Sequence, residues 1–342
     1  MAPRSKPARV LLVDEALQLT ASARPLFDSP ELKAVGEGCS YSSMLASVLR
    51  HAPNIVVVEL TRDNEEAFAA IETVMNEHPT PILVLHSGEA TSLDPFRALA
   101  LGALDVAERP RDPSPSFWRE LVPKLVLLAQ VHVVRHMKGN RIKRRGLAGT
   151  EPSPPSPLVA IAASLGGPRA LSILLRMVPK AFPAPICVCQ HISHGFTNGL
   201  AQWLSSEAEL RVVEAIDDEP LTPGTVFLAP SRAHLLVTAD GRTRLDDGPA
   251  RMGFRPSCDA LLTSAAEAYR HRAIGVVLTG MGRDGAQGLK HIRMRGGRTI
   301  VQDRASCVVF GMPKEAVEIG AAEQILSLDR IAPALIQLVE RC

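Results

Sequence analysis

Three side-chain types that together perform acyl transfer stand at the ends of three apolar runs. Ser164 follows Leu158 to Ala162 and Ala163, His191 follows Ala184 to Gln190 (APICVCQ), and Asp284 lies in Gly280-Met-Gly-Arg-Asp-Gly, just after Arg272 to Thr279 (RAIGVVLT). A serine hydroxyl attacks a carbonyl when an imidazole takes its proton, and a carboxylate fixes the imidazole tautomer and stabilises its charged form. In that scheme Ser164 is the nucleophile, His191 the general base and Asp284 the orienting acid. The chain order Ser, His, Asp and the turn A-x-S-x-G both depart from the α/β-hydrolase pattern, which argues against a lipase-like fold.

To work together the three must reach one edge of a sheet, which parallel neighbouring strands achieve because their carboxyl ends lie side by side. The stretch Leu158 to Met177 reads as buried strand, tight turn and helix, with Pro168 suited to a first helical turn. Gly166 and Gly167 let backbone approach a bound group, and the helix N-terminus offers free N–H donors. The glycines around Met281 and Asp284 permit a backbone path that both aims a carboxylate and turns an N–H toward a reacting oxygen. Each segment by itself also fits a plain connector, so the weight lies in their combination.

Residues from about 157 to 340 resemble the catalytic domain of the chemotaxis protein-glutamate methylesterases, the CheB family. The matching pieces, in order, are IAASLGGPRAL, QHISHGFTNGLAQWL, PLTPGTVFLAPSRAHLLV, RPSCDALLTSAAEAY, VVLTGMGRDGAQGL and TIVQDRASCVVFGMPKEAVEIGAA. The resemblance implies hydrolysis of glutamate methyl esters on methyl-accepting chemotaxis receptors, with glutamine deamidation as a second activity, a chemotaxis histidine kinase as a further partner, and no metal or organic cofactor. It also implies that the Met281 N–H stabilises the oxyanion, and that Phe196, His234, Arg255 and Met281 rim a shallow cleft. One departure adjoins the nucleophile: Leu165 stands where the family has threonine, removing a hydroxyl that helps position the histidine. Two other readings stay open here, a receptor-binding adaptor without catalysis and a serine hydrolase with a different substrate.

Residues 8–137 alternate strand-like and helix-like segments, RVLLV, a weak strand near AVG, NIVVVE, PILVLH and ALDVA, with a last helix to about Met137. The fold class expected is therefore α/β, two doubly wound parallel-sheet domains, one flavodoxin-like and one Rossmann-like. The first resembles a receiver domain of two-component signalling. Its active edge would carry Asp14, Glu15, Glu59, His86 or Ser87, and Arg109. Asp14 and Glu15 match the acidic pair that helps bind Mg²⁺, but Glu59 replaces the phosphoacceptor aspartate and Arg109 replaces a lysine. The added methylene of Glu59 misplaces the carboxylate for in-line transfer, so the resemblance predicts no phosphorylation at the usual site, with Glu59 pairing Arg109 instead. Asp63 reads as a solvated loop residue.

Residues 138–157 (KGNRIKRRGLAGTEPSPPSP) form a basic, proline-rich linker, and 158–342 the catalytic domain. A net charge of +2 gives no global argument for nucleic acid or membrane binding. Six cysteines show no C-x-x-C pair and no Cys/His metal spacing, so Cys187 and Cys189 read as core residues of a reducing cytoplasm. His191 and His194 form an H-x-x-H pair without an evident third ligand. The apolar run at the N-terminus is too short for a signal peptide or span, and the expected location is cytoplasmic with no membrane insertion.

Overall fold

The computed structural model describes residues 6–15, 18–36, 38–61, 64–86, 94–131, 133 and 156–341. The chain divides into two compact units, Met1–Asn140 and Arg141–Cys342. Ser87, Asp63 and linker residues 138–155 lie outside the described residues.

The first unit runs β1 (Ala8–Val13), α1 (Gln18–Ser22), β2 (Leu32–Ala34), α2 (Met44–His51), β3 (Ile55–Leu60), α3 (Glu65–Glu77), β4 (Ile82–His86), α4 (Asp94–Ala100), β5 (Asp105–Glu108) and α5 (Pro115–Leu128). Its five strands are parallel in the order β2-β1-β3-β4-β5, the flavodoxin-like winding. Every residue of β3 and β4 is buried, as expected of parallel strands covered by helices on both faces. The weak strand forms slightly earlier than AVG, at Leu32–Ala34, where Leu32 supplies the buried anchor. Helix α5 stops at Leu128, short of Met137: the N–H groups of Gln130 and Val131 tighten onto the carbonyls of Leu127 and Leu128, and the β-branched valines that follow disfavour helix.

The second unit runs β6 (Leu158–Ala163), α6 (Gly167–Arg176), β7 (Ile186–Gln190), α7 (Thr197–Glu207), β8 (Arg211–Glu214), β9 (Thr225–Leu228), β10 (His234–Val237), β11 (Thr243–Asp246), α8 (Cys258–Tyr269), β12 (Ala273–Val277), α9 (Ala286–Met294), β13 (Arg298–Gln302), α10 (Met312–Glu318), β14 (Gln324–Leu326) and α11 (Leu328–Glu340). Seven parallel strands lie in the order β14-β13-β12-β6-β7-β9-β8, and β10 with β11 makes a separate antiparallel hairpin. The chain winds from β6 toward β7 and later restarts at β12 on the other side of β6. That reversal opens a crevice beyond the carboxyl ends of β6 and β12, where doubly wound sheets bind their ligands. β6, β7 and β12 are buried throughout, which is why their sequences read as unbroken apolar runs. No helix of the described residues is long and apolar enough to cross a membrane.

Candidate active site

Ser164 directly follows β6, and both neighbours clasp it. In register, Ala163 lies opposite Gln190 and Ala162 opposite Val277. The His191 N–H donates to the Ala163 carbonyl at 3.0 Å, and the Ser164 N–H donates to Thr279 at 3.1 Å. Gly166 turns the chain into α6 with φ +75°, a left-handed conformation that suits glycine, and a Cβ there would strike Val308 at 2.6 Å. The Ser164 carbonyl accepts from the Gly167 N–H at 2.8 Å and from Gln190 Nε2 at 2.8 Å. Gln190 Nε2 also donates to the His191 carbonyl at 2.8 Å, so one buried amide ties the two backbones together.

Asp284 is only 1% exposed and is held by four donors. Its Oδ1 accepts from Ser257 Oγ and the Asp259 N–H, each at 2.9 Å. Its Oδ2 accepts from the Cys258 N–H at 2.7 Å and faces His191 Nε2 at 2.9 Å. Ser257 caps α8, and Cys258 and Asp259 are its first residues, so the carboxylate sits on a helix N-terminus. Burial opposes the ionised carboxylate, but His191 and these N–H donors outweigh it and hold the Asp284 pKa below the usual aspartate value. With Nε2–H given to Asp284, the remaining nitrogen Nδ1 is the basic one. Among the described residues Nδ1 has no hydrogen-bond partner, so no bond from Ser164 Oγ closes onto it in this conformation. Burial works against the imidazolium, yet the Cys258 thiol and Asp284 beside Nε2 prevail and raise the His191 pKa.

Residues 159–335 match the family model for CheB methylesterase. The chain belongs to the CheB methylesterase family. It is 56% identical over 335 residues to the protein-glutamate methylesterase FrzG of Myxococcus xanthus, covering 98% of this chain and 99% of that protein. It is 44% identical to a protein-glutamate methylesterase/protein-glutamine glutaminase of Anaeromyxobacter dehalogenans, with 99% of each covered. The crystal structure of the Thermotoga maritima CheB methylesterase catalytic domain superposes with a TM-score of 0.52 at 44% identity, spanning 54% of this chain and 98% of that one.

Within this CheB-family domain the loop after β12 lies against Ser164. A Cβ added to Gly280 would meet Ser164 Cβ at 2.8 Å, and the Gly280 carbonyl accepts from the N–H groups of Gly311 and Met312 at 3.1 and 2.9 Å. Met281 follows and is 43% exposed. Leu165 is buried, and its carbonyl accepts from Thr279 Oγ1 at 3.0 Å, so the residue after Ser164 is still anchored through its backbone. Phe196 is half-buried and Arg255 is exposed.

His234 does not belong to that rim: it is fully buried, its Nδ1 accepts from the Ser257 N–H at 3.0 Å, and its Nε2 faces the Pro249 carbonyl at 3.1 Å. The sequence reading missed Ser257, Asp259, Phe254 and Gln190. Phe254 stacks on His191 at 4.1 Å between ring centroids, nearly parallel. Asp259 accepts the N–H groups of Gly285 and Gly288 at 2.9 and 2.7 Å, fixing the loop that bears Asp284. The legible signal was the S-x-D pattern opening an apolar helix in RPSCDALL, a capping motif placed next to the triad.

No metal-ligand set is visible in the sequence spacing, but three possible donors meet in space. Cys189, His191 and Cys258 bring donor atoms within 4.8 Å of one another. Sequence spacing could not reveal this, because Cys258 comes from α8, far along the chain. His194 is exposed and has no part in the group, so the H-x-x-H pair is not a metal pair.

In the first unit, Glu59 and Arg109 form a buried ion pair. Arg109 Nε donates to Glu59 Oε1 at 2.5 Å, Nη2 pairs with the same oxygen, and the side chains are 13% and 7% exposed for arginine and glutamate. Tyr41 Oη donates to the Glu59 carbonyl at 2.5 Å. Asp14 is buried and its Oδ2 accepts from the Leu19 N–H, whereas Glu15 is exposed and accepts from the Tyr41 N–H at 3.3 Å. His86 is buried at the end of β4, opposite Leu60 in register. A receiver-type Mg²⁺ would compete with Arg109 for the Glu59 carboxylate, whose Oε1 already holds the guanidinium, although buried Asp14 Oδ1 has no hydrogen-bond partner among the described residues.

Proposed function

We propose that the chain is a cytoplasmic hydrolase of glutamate γ-methyl esters on chemoreceptors, with Ser164 as nucleophile, His191 as general base and Asp284 as its orienting acid. The observation that carries this reading is the fourfold-held Asp284 on His191 Nε2, which leaves Nδ1 as a bare base next in register to Ser164. Ser164 Oγ adds to the ester carbonyl as its proton passes to His191 Nδ1. The N–H of Met281, with that of Leu165, receives the oxyanion, and backbone donors aimed at developing charge typically supply about 3–4 kcal/mol. Collapse expels methoxide, which leaves as methanol with the proton from His191, and a water deprotonated by Nδ1 then frees the glutamate. A glutamine amide enters the same sequence with ammonia as leaving group.

The family-typical substrates are methyl-accepting chemotaxis receptors, and a chemotaxis histidine kinase would be the upstream partner of the receiver-like unit. Glu59, locked to Arg109, makes phosphorylation at the usual strand end unavailable. Methanol release from a methylated receptor fragment tests the reading, comparing the full chain with Ser164→Ala. Activity lost in Ser164→Ala supports it; a full chain that releases no methanol from several receptors turns the reading to a receptor-binding adaptor. Phosphate uptake from acetyl phosphate that disappears in Glu59→Ala would sink the claim about the receiver.

A further inference from the structure

We propose that Cys189, His191 and Cys258 form an inhibitory site for a thiophilic divalent ion of the Zn²⁺ class, one that captures the general base itself. Cys189 and His191 alternate at the end of β7 and so face the same side, and Cys258 opens α8 against them. Cys258 Sγ lies 3.5 Å from His191 Nε2, and Asp284 Oδ2 lies 2.9 Å from the same nitrogen. Tetrahedral zinc, with Zn–S near 2.3 Å and Zn–N of about 2.0–2.1 Å, spaces its donors by roughly 3.4–3.8 Å, so small side-chain shifts suit a Cys₂His set with a fourth position open to water.

The charge balance favours occupation. Zn²⁺ binds as both cysteines give up their protons to water, and the two thiolates cancel its charge, so the metal itself brings no net charge into the buried site. Soft sulfur donors also select zinc over Mg²⁺ or Ca²⁺.

Loading has a defined consequence for the base. A metal on Nε2 forces the imidazole proton onto Nδ1, the nitrogen that must accept the Ser164 proton, and removes the Asp284 bond. The bound form is therefore inactive. The inhibitory part of this inference rests on the methylesterase reading; the binding part does not.

The test uses the full chain with Co²⁺ and Zn²⁺ alone as probes. One equivalent of Co²⁺ should give a thiolate charge-transfer band that Zn²⁺ abolishes, and zinc-edge X-ray absorption of the wild type should read two sulfur ligands near 2.3 Å. Cys189→Val and Cys258→Val should each weaken binding at least about tenfold, and Cys307→Ala should not. Methanol release by the wild type should fall at least tenfold with Zn²⁺ and recover with a chelator, while the ratio with and without Zn²⁺ moves to near one in the two valine variants. A wild type with no sulfur-ligated metal, or a band or inhibition that survives in both valine variants, overturns the proposal. A sulfur-ligated metal in a chain without esterase activity would leave the site standing and remove the methylesterase reading.

Discussion

The N–H of Ser257 donates to Nδ1 of fully buried His234 at 3.0 Å, and the Ser257 hydroxyl in turn donates to Asp284 at 2.9 Å. Because Nδ1 accepts, the His234 proton is on Nε2, where it meets the Pro249 carbonyl. A chain of hydrogen bonds thus runs from the hairpin strand β10 through the α8 cap to the orienting carboxylate and on to His191.

His234→Phe keeps the ring volume but leaves the Ser257 N–H and the Pro249 carbonyl without partners. An unsatisfied buried group costs about 1–3 kcal/mol, so the unfolding free energy from urea titration should fall by at least about that amount, seen as a lower midpoint at unchanged m. Because Asp284 would lose a fixed cap rather than a contact to substrate, kcat should drop about ten- to a hundredfold with KM nearly constant. A rise in KM at unchanged kcat would instead place His234 at the substrate rim.

Asp284→Asn should lower kcat by about 10⁴-fold, the scale seen when a triad carboxylate is replaced and the wrong tautomer results. The pH profile separates this from simple misfolding. Activity requires neutral His191, and its raised pKa puts the acid limb of kcat/KM above 6.5, the ordinary histidine value. Activity therefore appears as pH climbs through that pKa. In Asp284→Asn the carboxylate is gone and burial remains, so the residual acid limb should move downward.

Much of this candidate site was readable because Ser164 and His191 directly follow buried strands and Asp284 lies in the glycine-rich loop after a third, and buried parallel strands write themselves as apolar runs ending in polar residues. Ser164, His191, Asp284 and the Glu59–Arg109 pair were accessible in that way. His234 was misread because a histidine after an apolar loop looks the same whether it faces a cleft or caps a helix. Cys258 was invisible as a neighbour of Cys189, since helix-to-strand packing brings together residues that no local spacing relates. The end of α5 was overrun because its apolar periodicity continues past Leu128 while the backbone does not.

The Glu59–Arg109 pair yields a stability test in the first unit. Arg109→Met strips a buried carboxylate of its partner and should cost about 3–5 kcal/mol, whereas Glu59→Leu with Arg109→Met should recover most of it. Burial already raises the Glu59 pKa, with Arg109 pulling it down. In Arg109→Met that pull is absent and the folded pKa climbs above the unfolded one, so the folded state takes up the proton first. The loss should shrink as pH falls through that pKa; a deficit that does not vary with pH would mean that packing rather than charge is responsible.

Gly167 and Gln190 supply the last test, since they share one space. A Cβ on Gly167 would lie 1.9 Å from Gln190 Oε1, and Gln190 Nε2 is the donor that joins the Ser164 and His191 carbonyls at 2.8 Å each. Gly167→Ala must therefore push the amide away and uncouple nucleophile from base. Gln190→Ala removes the same tie without the collision. Both should lower kcat about tenfold or more, because the reacting groups lose their fixed separation. In stability the two should be strongly non-additive: Gly167→Ala with Gln190→Ala should be more stable than Gly167→Ala alone, since the alanine then fills vacated space. Additive losses in thermal melts, with kcat unchanged in Gln190→Ala, would show that the amide merely fills the core and does not set the geometry of Ser164 and His191.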